Sequence, residues 1–338
     1  MYYLWVGYIL FGHLPMNTQK FLIPDGIEYY TGNEAVLFEK LKSSVFRIFK
    51  KYKYEFVITP VIDSINNLNN LNGDNLKNYT ISLSDRKELG IRADITPQIS
   101  RLDYQSYKKN SSNKFSYMGD IYRETNSSFD RNNPFQVGAE YFGKVSSETD
   151  INLINMCHEI VSLSKSKRIL IELNDSFFIN KLLKSLKLSS TDNKQLIYLI
   201  SLKSLDEIKN YLILKNITTK KIIEVMDLMK LSGSISLLNK VKIFSKKYNY
   251  NASNNISLLN TISKKIKSLK NVEINIDLCS FKSMDYETGF NYNFYVDKLR
   301  RPIAVGGRYE SYMLNDNLSR SATGFSIDLK DVITIYEK

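Results

Sequence analysis

Residues 135–142 alternate so strictly that their place in a fold is narrowly constrained. Phe135, Val137, Ala139 and Tyr141 fall on one face of an extended strand, and Gln136, Gly138 and Glu140 on the other. The apolar face needs a core, as in an antiparallel sheet covered on one side. The polar face then either meets water or forms a binding floor, with Gly138 leaving room for a small ligand between an amide and a carboxylate. Upstream, 114–124 (with Phe115, Tyr117, Met118 and Ile121) reads as a second strand. The polar run 125–133 reads as the connection of an antiparallel hairpin.

Other segments extend the pattern. Asp94 and Thr96 place an acid and a hydroxyl two residues apart, just before a helix expected to begin near Pro97. Gly306 and Gly307 lie inside a β-rich run, where paired glycines signal close backbone approach to a ligand. From 176 to 268, Leu, Ile and Lys recur at helical spacing, as in Leu182, Leu183 and Leu186. Strand-like 168–173 and 272–278 flank that stretch, and a hairpin of 290–296 and 302–309 follows. The expected fold class is α+β, an antiparallel sheet flanked by helices. Residues 16–175 and 269–338 would form one domain, and 176–268 a helical insertion. Residues 66–78 read as an Asn-rich loop near the site.

Composition sets bounds. The 338 residues carry a net charge of +12, the footprint of nucleic-acid binding. The lysines, however, read as spread along solvated helix faces rather than clustered, against a tRNA surface, while an acidic partner protein stays open. Cys157 and Cys279 are far apart and show no metal spacing, which suggests a reducing cytoplasm. With His13 and His158 as the only histidines, a histidine triad or a His-rich metal site is disfavoured. His158 reads as a packed helix residue. Residues 1–15 are apolar but lack a basic leader and are too short to span a bilayer. They read as a start placed too early, with Met16 the true one, or as a segment docking on the body.

Taken in order, these motifs resemble the catalytic domain of class II histidyl-tRNA synthetases, and more closely their paralogue, the regulatory subunit of ATP phosphoribosyltransferase. Ile23-Pro24-Asp25-Gly26-Ile27 is similar to the family's opening segment. The helix 33–52 and the segment 54–61 with Pro60 are similar to the first class II motif, which normally builds the dimer interface. The Tyr122-Arg123-Glu124 hairpin with its return strand resembles the second motif, and Gly306-Gly307-Arg308-Tyr309 a histidine-specific signature. The resemblance implies that Asp94, Thr96 and Gln136 surround the α-amino group of bound histidine, with Glu140 on its imidazole side. It implies Arg123 as a cation that in synthetases faces the ATP α-phosphate and here would meet a carboxylate, and Tyr286, Gly306, Gly307 and Tyr309 as walls of the pocket. Ammonium and imidazole groups require such acceptors.

Departures from the family pattern concern catalysis. Lys282 stands where synthetases carry a catalytic arginine and lacks the planar fork that grips phosphate, and Glu287 replaces an aromatic pocket residue. In the third motif, Asp331 aligns with an arginine that packs on ATP, and in the loop of the second motif Asn132 rather than Arg131 aligns with the expected second arginine. A unit charge about 4 Å from phosphate is worth roughly 4 kcal/mol at an effective dielectric near 20, so reversing its sign swings the interaction by about twice that. The sequence reads to Lys338, and no anticodon-binding domain is expected.

The resemblance therefore implies a cytoplasmic, non-catalytic subunit with no cofactor and no metal. It would act with a short-form ATP phosphoribosyltransferase catalytic subunit in the first step of histidine biosynthesis, as a homodimer within a hetero-oligomer, with L-histidine as effector. Neither a membrane nor nucleic acid is expected as a partner. The rival readings are a divergent histidyl-tRNA synthetase lacking its anticodon-binding domain and a tRNA-sensing synthetase-like module.

Overall fold

A computed structural model describes residues 26–68, 81–82, 89–108, 110–123, 131–280, 287–312 and 319–336. Helix α1 (Gly32–Lys51) buries Leu41, Val45 and Phe49, one residue per helical turn on a single face. It is followed by β1 (Glu55–Val57), β2 (Ile62–Ser64), α2 (Ile65–Leu68), β3 (Ile81–Ser82), β4 (Leu89–Ile91) and α3 (Thr96–Gln105). The hairpin comes next as β5 (Asn113–Asp120) and β6 (Phe135–Phe142), then α4 (Ser147–Ser162) and β7 (Ile169–Asp175). Helices α5 (Phe177–Leu186), α6 (Ser190–Ser201), α7 (Leu205–Leu214) and α8 (Thr219–Met229) lead to β8 (Ser232–Gly233). After α9 (Leu237–Lys247) and α10 (Ser253–Ile266), the chain forms β9 (Val272–Asp277), β10 (Glu287–Val296), β11 (Ala304–Tyr312), β12 (Ser319–Asp328) and α11 (Leu329–Tyr336).

One nine-stranded sheet, in the order β1-β5-β6-β12-β11-β10-β7-β9-β8, organises the molecule, and β2-β4-β3 form a small second sheet. The architecture is α+β, with a mostly antiparallel main sheet flanked by helices. Two neighbouring pairs are parallel, β1 with β5 and β7 with β9. Parallel neighbours need a long crossover, and helices α5 to α10 supply it between β7 and β9. Residues Val137, Ala139, Phe325, Ile327, Phe294 and Ile171 line up across neighbouring strands and belong to the main core. Helix α4 packs against β12, α1 and α10.

Two strands, β1 in the segment 54–61 and β5 in the expected strand 114–124, end early for a shared reason. Buried Arg92 bonds the Thr59 carbonyl (2.9 Å) and hydroxyl (2.6 Å), and its Nε donates to the Asp120 carbonyl (2.8 Å). The Tyr122 N–H also turns away, to the Arg92 carbonyl. Thus β1 stops at Val57 rather than Val61, and β5 at Asp120 rather than Glu124. The expected Asn-rich loop begins with α2, and its residues 69–78 lie outside the described residues, as do residues 1–25 with the expected N-terminal extension.

Cys157 and Cys279 are free and buried. His158 Nε2 lies 2.9 Å from the Lys270 carbonyl, the contact of a packed helix residue. No helix among the described residues is long and apolar enough to cross a membrane. Helix α4 begins with a reciprocal cap, in which the Ser146 hydroxyl accepts from the Thr149 N–H and the Thr149 hydroxyl from the Ser146 N–H. Ser146→Ala is expected to lower stability by about 1 kcal/mol, read as a lower urea midpoint at unchanged slope. An unchanged midpoint would show that the cap adds nothing.

Candidate functional site

Register places the polar face of β6 in a wider polar floor. Opposite Gln136, Gly138 and Glu140 stand Asp328, Ser326 and Gly324 of β12, and opposite Ser326 and Gly324 stand Val305 and Gly307 of β11. The floor continues through Asn291 and Asn293 of β10 to Asn174 and Glu172 of β7. At its centre Asp94, Thr96, Gln136, Glu140, Gly306, Gly307 and Tyr309 line one small cavity, together with Val305, Gly324, Phe325 and Ser326. Of the remaining expected site residues, Arg123 is half-buried in the turn after β5 and does not line the cavity; its backbone N–H bonds the Asn132 carbonyl. Tyr286 lies outside the described residues, as do Lys282 and the side chain of Glu287.

The acceptors are held rigidly. Gln136 Oε1 accepts from the Ile95 N–H (2.9 Å), which leaves Nε2 to donate to Asp94 Oδ1 (2.7 Å) and to the Ser326 hydroxyl (2.9 Å). Asp94 Oδ1 also accepts the Thr96 N–H at 3.1 Å. Asp94 Oδ2 is buried and has no hydrogen-bond partner among the described residues. A buried carboxylate oxygen without a donor is costly, and an incoming ammonium supplies what it lacks.

Glu140 is 2% exposed and receives three hydroxyls: Thr96 (3.1 Å) and Tyr117 (3.2 Å) on Oε1, and Tyr309 (2.9 Å) on Oε2. Burial pushes its pKa up to about 8, and the hydroxyl bonds offset that only in part while the nearby Asp94 charge adds to it. At neutral pH Glu140 is therefore mostly protonated. A Cβ at Gly324 would collide with the Glu140 carboxylate, and it would also lie 2.8 Å from the Ala139 carbonyl. Glycine is required there to seat Glu140.

Gly138 has a different use from the one its sequence position suggests. The space above it is taken by the Tyr117 hydroxyl rather than left for a ligand, because β5 pairs Tyr117 directly with Gly138. Tyr117, Ser326 and Gly324 are the site residues that sequence reasoning missed. The glycine opposite Tyr117 is a usable signal, but only once the strand register is known.

Beyond the floor lies a second charged cluster. Asp331, whose side chain is 2% exposed, pairs with Arg131 (2.5 Å) and with Arg301 (2.7 Å). Arg131 also meets Glu28 (2.9 Å), Asp328 (3.5 Å) and the Thr334 hydroxyl (3.0 Å). Burial, and next the Asp331 charge, push Asp328 above the usual carboxylate range. For Arg131 burial works in the other direction, but the Asp328 and Asp331 charges outweigh it and raise its pKa. These guanidinium groups are engaged by the protein's own carboxylates. No cluster of His, Cys, Asp and Glu with metal-holding geometry occurs among the described residues.

Comparison with known proteins bears on this arrangement. A family model described as histidyl-tRNA synthetase matches residues 26–332. The ATP phosphoribosyltransferase regulatory subunit of Teredinibacter turnerae is 28% identical, over 93% of this chain and 81% of that protein. Among solved structures, an ATP phosphoribosyltransferase regulatory subunit/histidyl-tRNA synthetase from Bacillus halodurans superposes with a TM-score of 0.79 at 17% identity, covering 94% of this chain and 83% of the other. A chain of the ATP phosphoribosyl transferase (HisG:HisZ) complex from Thermotoga maritima gives a TM-score of 0.64 at 19% identity, covering 85% of this chain and 96% of that one.

Proposed function

The chain belongs to the histidyl-tRNA synthetase family, and from that premise we propose that it acts as the non-catalytic regulatory subunit of ATP phosphoribosyltransferase in histidine biosynthesis. Its partner is the short-form catalytic subunit, in the cytoplasm, and L-histidine is its effector. The observation that carries this reading is a contrast within one molecule. The amino-acid side of the site keeps its acceptors, including the Asp94 oxygen that has no partner among the described residues, while Arg131 and Arg301 are spent on buried Asp331. A synthetase needs cations free to meet ATP phosphates, and a sensor of histidine does not.

Asp94, Thr96 and Gln136 receive the α-amino group, Glu140 faces the imidazole, and Gly306, Gly307 and Tyr309 close the pocket. Arg123 and Tyr286 are assigned to the histidine carboxylate and the pocket wall by family resemblance alone. The cavity holds about 40 Å³ as it stands. The ligand acts on the partner by linkage: histidine binds one conformation better, and the catalytic subunit's equilibrium shifts by that differential affinity.

The test is phosphoribosyl-ATP formation by the short catalytic subunit, with and without this chain, across a histidine titration. Activation by the chain, with histidine inhibition only in its presence, is the expected result; no effect at any ratio of the two proteins refutes the reading. Asp94→Asn is expected to weaken histidine binding roughly tenfold or more, as lost charge-assisted hydrogen bonds do. Isothermal titration calorimetry checks this, and unchanged affinity would remove Asp94 from the site.

A further inference from the structure

We propose that the helical segment between β7 and β9 carries a second ligand site, between α9 and α10, for a phosphate-bearing small molecule with a flat apolar body, the nucleotide class. A cavity of about 680 Å³ lies there, remote in sequence from every residue of the floor described above. That volume is within the range of small-molecule pockets and far larger than a free phosphate needs. Ile235, Leu238 and Ile256 supply an apolar wall, and the Tyr250 ring lies beside them.

The polar lining is cationic or neutral throughout, without a carboxylate. Lys242 and Lys246 sit one helical turn apart on α9 and both line the cavity. Like charges at that spacing repel, which an anion between them relieves. The surrounding sequence deepens the asymmetry: residues 228–272 contain nine lysines and no aspartate, glutamate or arginine. The lysines of this chain are therefore more clustered here than the sequence as a whole suggests.

Two further features border the same space. Ser245 lines the cavity at 7% exposure, and its hydroxyl has no hydrogen-bond partner among the described residues. Helix serines ordinarily bond the carbonyl four residues back, as Ser263 does to Leu259. The first turn of α10 also contributes Ser253, Ile256 and Ser257, and no side chain caps that helix. Its positive dipole end adds to the two ammonium groups. Hydroxyl donors, ammonium groups and a helix N-terminus beside an apolar wall match a phosphate attached to a ring.

The experiment titrates AMP into the full chain by isothermal titration calorimetry, with inorganic phosphate and a short single-stranded oligoribonucleotide in parallel. Saturable AMP binding is expected, weakened roughly tenfold by the double variant Lys242→Gln/Lys246→Gln, as loss of charged hydrogen bonds implies. The double variant Lys264→Gln/Lys265→Gln, equal in charge but outside the cavity, is expected to leave it unchanged. Equal weakening by both pairs, or by neither, overturns the proposal, as does the absence of saturable AMP binding. Phosphate binding as tightly as AMP overturns the apolar half of the site. An oligonucleotide that binds tighter than AMP and excludes it overturns the small-molecule assignment. Both lysines are exposed, so loss of the fold does not confound the result.

Discussion

Glu140→Gln is expected to flatten the fall in stability expected of the unliganded protein between about pH 4.5 and pH 8, the ordinary and folded-state values of this carboxyl. The folded state holds the proton that the unfolded state has released across this window, so the unfolded state binds fewer protons and stability declines as pH rises. The contribution is fully present below the lower limit and lost by the upper one. Its size is on the order of 4–5 kcal/mol for a shift of this extent. Glutamine keeps an acceptor for the Thr96 and Tyr117 hydroxyls and an amide beside Tyr309, but carries no charge to release. Urea unfolding of both proteins at a series of pH values reads the difference, and parallel curves would refute a buried neutral Glu140. The same chemistry predicts a ligand effect. A neutral imidazole placed against protonated Glu140 takes up its proton, so carboxylate and imidazolium form with little net proton release near pH 7, visible as heats nearly independent of the buffer's own ionisation enthalpy.

Asp331→Ala is expected to cost about 3 kcal/mol of stability, at the lower end of the range for breaking a buried ion pair by removing one partner. The carboxylate is 2% exposed, and its loss leaves Arg131 and Arg301, at 14% and 19% exposure, facing each other with less compensation. The midpoint of urea unfolding should fall at unchanged slope. The double variant Arg301→Ala/Asp331→Ala is expected to lose less than the sum of its single changes, because the two side chains share the cost. Additive losses would show that the pair is not coupled. The cluster also bears on function. An arginine at position 331 would meet two guanidinium groups already in place, so restoring the synthetase-like residue alone cannot rebuild a phosphate site here.

Much of this was legible in the sequence, because local periodicity has a direct physical meaning. Strict alternation over 135–142 separates a core face from a polar one whatever the sheet turns out to be, since successive side chains of a strand must point to opposite sides. Leucines at helical spacing over 176–268, bounded by two strand-like runs, mark a helical crossover for the same reason. The sign of the charge at position 331 is likewise a fact of sequence, and so is the acid-free, lysine-rich stretch 228–272.

Only the tertiary structure decided what these residues meet. The register of β5 against β6 gives the space above Gly138 to the Tyr117 hydroxyl, and a slip of one residue would have set Ser116 or Met118 opposite it instead. Packing brings Arg131 to Asp331 across 200 positions of sequence, and so turns a reversed charge into a neutralised cluster. Burial, which no local pattern reports, moves Glu140 from an ordinary carboxylate to a group that titrates near neutrality. Periodicity is a property of neighbouring residues and survives in the bare sequence; pairing, exclusion of water and proton affinity depend on residues far apart in the chain, and exist only after the sheet has assembled them.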